Sequence, residues 1–258
     1  MKFYFKLLSL IYCLFFCQAK AVQIIQLGVE DVNFFPIYGT YDGNDNKLLE
    51  YDGYSADIFR LFNKSQNKYE IKFNPVQIKR LFLEFLDPKS ILDAKYPDDP
   101  NWAMDLKKSK GLKIYYSLPV IKYTDGVFVL KENQKNDITK IKTLGMILGF
   151  SPIGYEEYIK SGKIKLEQTI NVKILFDWLI NKKVDAIYIS KSIGECKLNI
   201  LKYSDKIVFN DKLPVLSGSY RLSSIKYPEL IKDFDIFLNK KKNFLGQMQK
   251  NITKFKCH

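Results

Sequence analysis

Apolar and polar positions along this chain fall into short blocks whose period switches repeatedly between two and about 3.6. Ile24 to Val29 is a β-forming run, closed by Glu30-Asp31 and followed by an aromatic turn, Phe34-Phe35-Pro36-Ile37-Tyr38. The polar residues from Gly39 to Asn46 predict a loop or hairpin tip. Ser55 stands where it can cap a helix carrying Ile58, Leu61 and Phe62 on one face, and Asp57 suits the positive end of that helix dipole. Tyr69 to Phe73 alternate as a strand. Pro75 then predicts a helix start, with Ile78, Leu81, Phe82 and Phe85 on one stripe. Tyr96 to Trp102 is rich in Pro and Asp and predicts a loop.

The stretch from Lys110 to Leu130 separates this β-α-β-α block from a second one. It leaves a basic, Gly-containing turn, passes Tyr116-Ser117-Leu118-Pro119 and enters the apolar run Gly126 to Leu130, so it is expected to cross from one compact unit to another. Beyond it, Thr143 to Leu148 predicts a strand running into a Gly149 to Gly154 turn and a helix with Tyr155, Tyr158 and Ile159. Such a turn gathers free backbone N–H groups, a ready anion or carboxylate site. Asn171 can cap a helix burying Val172, Leu175, Phe176 and Leu179. Val184 to Ser190 and Ile207 to Phe209 predict strands, and Leu216 to Leu222 predicts the return crossing. Two helices are expected to close the chain, Pro228 to Leu238 and a weaker one from Phe244 to Phe255.

The first 21 residues change the picture of compartment. Lys2 and Lys6 precede the apolar run Leu7 to Phe16, and Ala19-Lys20-Ala21 offers small residues for cleavage, which is the build of a signal peptide; the run falls short of the roughly 20 residues a membrane span needs. Cys17 raises lipidation, but the bulky Phe16 before it argues against that. Loss of Lys2, Lys6 and Lys20 takes the formal net charge from +13 to +10. The lysines are spread along the chain and form no dense block, so the charge reads as a solvated surface with no nucleic-acid partner. Cys196 and Cys257 would remain after cleavage, and in an oxidising compartment they either pair or stay as isolated thiols. With 47% hydrophobic residues the chain can build one large core or two small ones. The only histidine is His258, so no Ser-His or Cys-His pair and no metal-ligand cluster can be assembled.

The order Gly53-Tyr54-Ser55-Ala56-Asp57-Ile58, Tyr116-Ser117-Leu118-Pro119, the Gly149 turn and Val184-Asp185-Ala186, behind an export signal, resembles the bacterial extracellular solute-binding proteins of family 3. The resemblance covers nearly the whole mature chain. It implies an α/β, two-lobed periplasmic-binding-protein-like fold of type II, each lobe a mixed sheet flanked by helices, joined by two crossing strands. Lobe one would be 22–120 and 216–258, and lobe two 121–215. The protein would act in the periplasm as a monomer, capturing a small polar or anionic solute between the lobes for an ABC permease in the inner membrane; no cofactor or metal is expected. Two positions depart from the amino-acid binders of that family. Lys110 stands where an arginine commonly grips the ligand carboxylate with a two-pronged contact, and Ser190 stands where an Asp meets the α-amino group.

The candidate ligand-binding residues are Phe35, Tyr38, Tyr54, Arg80, Trp102, Lys110, Ser117, Ser151 and Ser190. For the aromatic ones stacking on a ligand and plain core packing both stay open. Arg80 is the expected anchor of an anionic ligand, against a solvated helix surface; Lys110 is weighed against a solvated loop, and Trp102 against pinning its own loop. Asp57 and Asp185 read as structural. Two other functions stay open: a periplasmic sensor of the same solute, and a lyase on the same scaffold working through Glu30, Asp31 or Asp125.

Overall fold

The computed structural model describes residues 21–41 and 47–255. Residues 1–20, which hold all of the expected signal peptide but Ala21 and include Cys17, lie outside the described residues, as do Cys257 and the tip at 42–46. Strand β1 (Gln23–Glu30) becomes completely buried toward its end and runs parallel between β5 (Tyr69–Val76) and β6 (Ala94–Asp98). Parallel neighbours need crossover connections. These are supplied by α1 (Tyr54–Ser65), ahead of β5, and α2 (Ile78–Phe85), between β5 and β6. A small antiparallel sheet of β2 (Asn33–Phe34), β3 (Tyr38–Tyr41) and β4 (Lys47–Asp52) leads into α1. Part of the expected loop after Gly39 is therefore strand.

Several boundaries differ from the expectation, each for a local reason. Helix α1 begins after Gly53, whose φ of 100° and approach to the Pro36 carbonyl leave no room for a Cβ. Ser55 does not cap it; its buried hydroxyl donates to the Tyr96 oxygen at 3.2 Å. Asp57 does lie in the first turn and pairs with Arg60 at 3.0 Å. Pro75 starts no helix. It sits in β5 at the edge of the sheet, where its missing N–H leaves no ladder bond unmade, and α2 starts at Ile78. Tyr96 and Pro97 belong to β6 instead of a loop, and pairing with β1 ends at Tyr96, just before the proline. The lysine-rich run forms a further helix, α3 (Met104–Lys110), closed by Gly111 at φ 61°.

The main sheet has ten strands, and two of them hold its middle. After β7 (Tyr115–Tyr116), β8 (Ile121–Leu130) pairs through its first half with β13 (Leu216–Ser224) and through its second half with β11 (Ala186–Ser190) and β12 (Ile207–Phe209). The second half of β13 pairs with β6 and β7. These are the two crossing strands. Ser117, between β7 and β8, ties them together: its N–H donates to the Leu222 carbonyl at 2.8 Å and its hydroxyl accepts from the Leu222 N–H at 3.0 Å.

The second lobe adds β9 (Thr143–Ile147) and the edge strand β10 (Lys165–Thr169), with helices α4 (Glu156–Lys160), α5 (Val172–Ile180) and α6 (Lys191–Leu201). Asn171 caps α5 through the Ile174 N–H at 3.2 Å, and the stripe Val172, Leu175, Phe176 and Leu179 is buried as its spacing predicts. Asp185 accepts from the Lys142 and Thr143 amides, a structural role. Cys196, buried in α6, is disulfide-bonded, and every other cysteine of the chain lies outside the described residues. One helix closes the fold where two were expected. In α7 (Pro228–Phe255) the apolar stripe Leu230, Phe234 and Phe237 packs on α1, with Phe59 and Phe234 rings 5.2 Å apart, and Leu245 carries the burial past the lysine run. Among the described residues no helix is long and apolar enough to cross a membrane.

Candidate functional site

The ends of β1 and β9 and the middle of the crossing strands meet at a small pocket between the lobes. One side supplies Glu30, Ile78, Phe82 and Trp102, and the other Asp125, Gly149, Phe150 and Ser151. Ligands of open α/β sheets bind where strands end, because the backbone there is free to turn and present side chains. The pocket volume is about 20 Å³, room for about one water molecule, so the lobes are closed on each other. Their contact is close. The Phe34 and Phe150 rings meet edge to face at 5.5 Å, and a Cβ on Gly149, which has φ 97°, would stand 2.7 Å from the Lys79 amide at the start of α2.

The pocket floor is charged and buried. Tyr38 donates to Glu30 at 2.7 Å. Burial raises the Glu30 pKa, and Lys95 and this hydrogen bond pull it back. Lys95 is itself buried, its Nζ donating to the Pro97 carbonyl and lying 4.1 Å from the Phe82 ring centre. Asp98 is the hub behind it: it accepts from Lys107 at 2.8 Å and from the Ser223 hydroxyl at 2.7 Å, with Lys95 at 3.7 Å. Asp125, on β8, stands opposite Ser190 in the pairing of β8 with β11. Burial pushes its carboxyl up to about 8, Glu30 and Asp99 push the same way, and Ser190 draws it back. Its Oδ1 has no hydrogen-bond partner among the described residues.

Trp102 and Ser151 line this pocket, and Trp102 packs on Tyr123 and Tyr220 of the crossing strands at 5.3 and 5.7 Å. Tyr38 orients Glu30 from behind, and Ser190 faces Asp125. Phe35 is half-buried in the hairpin turn, its N–H 3.4 Å from Asn33 Oδ1. The remaining expectations point elsewhere. Tyr54 is core, donating to the Leu245 carbonyl at 2.8 Å. Ser117 is spent on the crossing strands. Arg80 is 74% exposed and paired with Glu84 at 2.5 Å, because its helix position faces away from the stripe that packs inward. Lys110 is exposed in the last turn of α3; the buried lysine of that helix is Lys107, three residues earlier. The expected anionic-ligand anchors are thus absent from the pocket, whose lining charges are both carboxylates. Phe82, Phe150, Lys95 and Asp98 were not singled out. Lys95 and Asp98, charges set within a strand-forming segment, were the available signal for the last pair.

Mixed α/β lobes, two crossing strands and a pocket between them define the two-lobed periplasmic binding fold. Solved structures with that fold match nearly the whole chain. An ancestral arginine-binding protein bound to arginine superposes with a TM-score of 0.69 at 17% identity, covering 90% of this chain and 99% of that one. AbpA, an amino-acid ABC transporter substrate-binding protein from Streptococcus pneumoniae bound to L-arginine, gives 0.68 at 14% identity, covering 91% and 96%. A mutant of ArgBP from T. maritima gives 0.65 at 18% identity, covering 90% and 94%. No protein-family model matches the chain, and no curated protein matches it in sequence. The neighbours are binding proteins, and at these identities the likeness carries the fold alone.

Proposed function

We propose that this chain is a periplasmic solute-binding protein that closes two lobes, 22–120 with 216–258 and 121–215, around one small solute and hands it to an ABC permease as a monomer. The observation that supports this most is a pocket bounded by four residues from each lobe, at the seam of two crossing strands. That arrangement makes ligand contacts complete only when the lobes come together, which is how hinge closure is driven by binding. The protein purified gently from its host should release one small molecule per chain in native mass spectrometry. Returning that molecule to the stripped protein should reduce the radius of gyration measured by X-ray scattering. A stripped protein whose dimensions and melting temperature ignore every solute offered, the released one included, would refute the reading.

The raised carboxyl of Asp125 gives a second reading specific support, since an acid poised near neutrality in a cleft suits proton transfer. A lyase of this kind would consume its ligand. We expect the released molecule to be recovered chemically unchanged after hours with the protein, as followed by NMR; product formation would favour the lyase.

Two peripheral features have their own expected outcomes. Arg80→Ala should leave solute affinity within about twofold and stability within about 0.5 kcal/mol, because an exposed ion pair contributes little. A tenfold loss of affinity on titration would return Arg80 to the site. Peptide mapping of the exported chain without reductant should join Cys196 to Cys257, since Cys13 and Cys17 would leave with the signal peptide. Recovery of Cys196 in an unlinked peptide would contradict that.

A further inference from the structure

We propose that the cleft selects a small organic cation, whose ammonium or guanidinium head group docks on Asp125 beside Glu30 and which needs no carboxylate of its own. This rests on the solute-binding reading and adds the chemistry of the solute. Around the pocket the buried charged side chains are Glu30, Asp98, Asp99 and Asp125 against Lys95 and Lys107, four acids to two bases. Both bases are engaged with the protein: Lys95 with the Pro97 carbonyl and Asp98, Lys107 with Asp98 and with the Asp99 carbonyl at 2.7 Å. Glu30 is served by Tyr38 and by the nearby Lys95. Asp125 retains an oxygen that is buried and without a partner. Leaving such a group unpaired is costly, and a cation with N–H donors is the complement it lacks.

A solute carboxylate, in contrast, finds no cation on the pocket wall. The lining residues include no lysine or arginine, and each of the three arginines is committed elsewhere: Arg60 to Asp52 and Asp57, Arg80 to Glu84, and Arg221 to the Ser117 carbonyl at 2.5 Å. The rest of the wall suits an organic cation, because Trp102 and Phe150 bring aromatic rings to a site of low dielectric. The described closure leaves room for about one water, so docking a head group requires the lobes to part slightly from this arrangement.

Isothermal titration with agmatine, L-arginine, succinate and glucose tests this, with X-ray scattering on each mixture. Agmatine is expected to bind and to compact the protein, with affinity within tenfold of arginine; succinate and glucose are expected to do neither. Asp125→Asn should weaken agmatine at least tenfold while the empty variant melts at the same or a higher temperature, since a buried carboxylate disfavours the fold wherever it must ionise. Glu30→Gln is the second probe and should weaken agmatine as well. The groups facing Asp125 are Glu30, Asp99, Ser190 and the phenols of Tyr123, Tyr188 and Tyr220, none of which supplies positive charge. Agmatine should therefore bind at least tenfold tighter at pH 9 than at pH 6, with proton release at pH 7 seen as a buffer-dependent heat. Binding of arginine but not agmatine would overturn the proposal, as would unchanged affinity in both variants. Binding of succinate or glucose in place of the cations would overturn it and leave the solute-binding reading standing. No compaction with any of the four would overturn it too, and the released native molecule then decides the broader reading.

Discussion

Asp98→Ala is expected to lower stability by about 3–5 kcal/mol, because it strands two buried ammonium groups that now share one carboxylate. For a chain of this size that is a fall of roughly 6–20 °C in the thermal midpoint. Lys95 and Lys107 are both buried and cannot turn to water, and the Ser223 hydroxyl on β13 loses its acceptor in the same step. The damage would thus reach the return crossing strand as well as the pocket floor. Differential scanning calorimetry checks it. A loss below about 1 kcal/mol would mean that the two lysines shed their charge or find water, and that Asp98 is not the hub it is drawn to be.

The second large effect concerns closure. Gly149→Val is expected to reduce agmatine affinity at least a hundredfold, about 2.7 kcal/mol, and to abolish the ligand-dependent compaction. Two causes add. Position 149 has φ 97°, a backbone region that a β-branched residue resists, and its Cβ would stand 2.7 Å from the Lys79 amide of the opposite lobe. The strain is present whether the lobes are open or closed, but the clash exists only when they are closed, so the variant should populate the open form. A variant that still compacts with normal affinity would show that the Gly149 turn is not part of the closing contact.

Gly149 and Asp125 show where reading the chain stops. Gly149 was legible as a turn between a strand and a helix; that it abuts Lys79, seventy positions earlier, follows only from the way β9 is laid beside β11 and the second lobe is folded back on the first. Asp125 entered the reading only as one of three carboxylates open to a lyase, and its isolation from any cation depends on Lys95 and Lys107 being held by Asp98. Arg80 was legible as helical, but which way it faces was decided by the stripe Ile78, Leu81, Phe82 and Phe85 packing against β1 and β6. The merging of two closing helices into one was hidden because the lysine run between them reads as polar. That run lies on the exposed side of α7, and Leu245 restores the buried stripe beyond it.

Local chemistry was enough for the alternation of strands and helices in outline, the Asn171 cap, the structural roles of Asp57 and Asp185, and the pair of crossing segments, but not for the strand Ala94–Asp98, the edge strand Lys165–Thr169 or the helices Met104–Lys110 and Lys191–Leu201. The features that were legible depend on periodicity and on residues within a few positions of one another. The character of the pocket was decided by the tertiary structure alone, since its charge balance sums side chains from β1, β6, α3 and β8 that are distant along the chain. Only packing determines which of those charges cancel and which is left facing the solute.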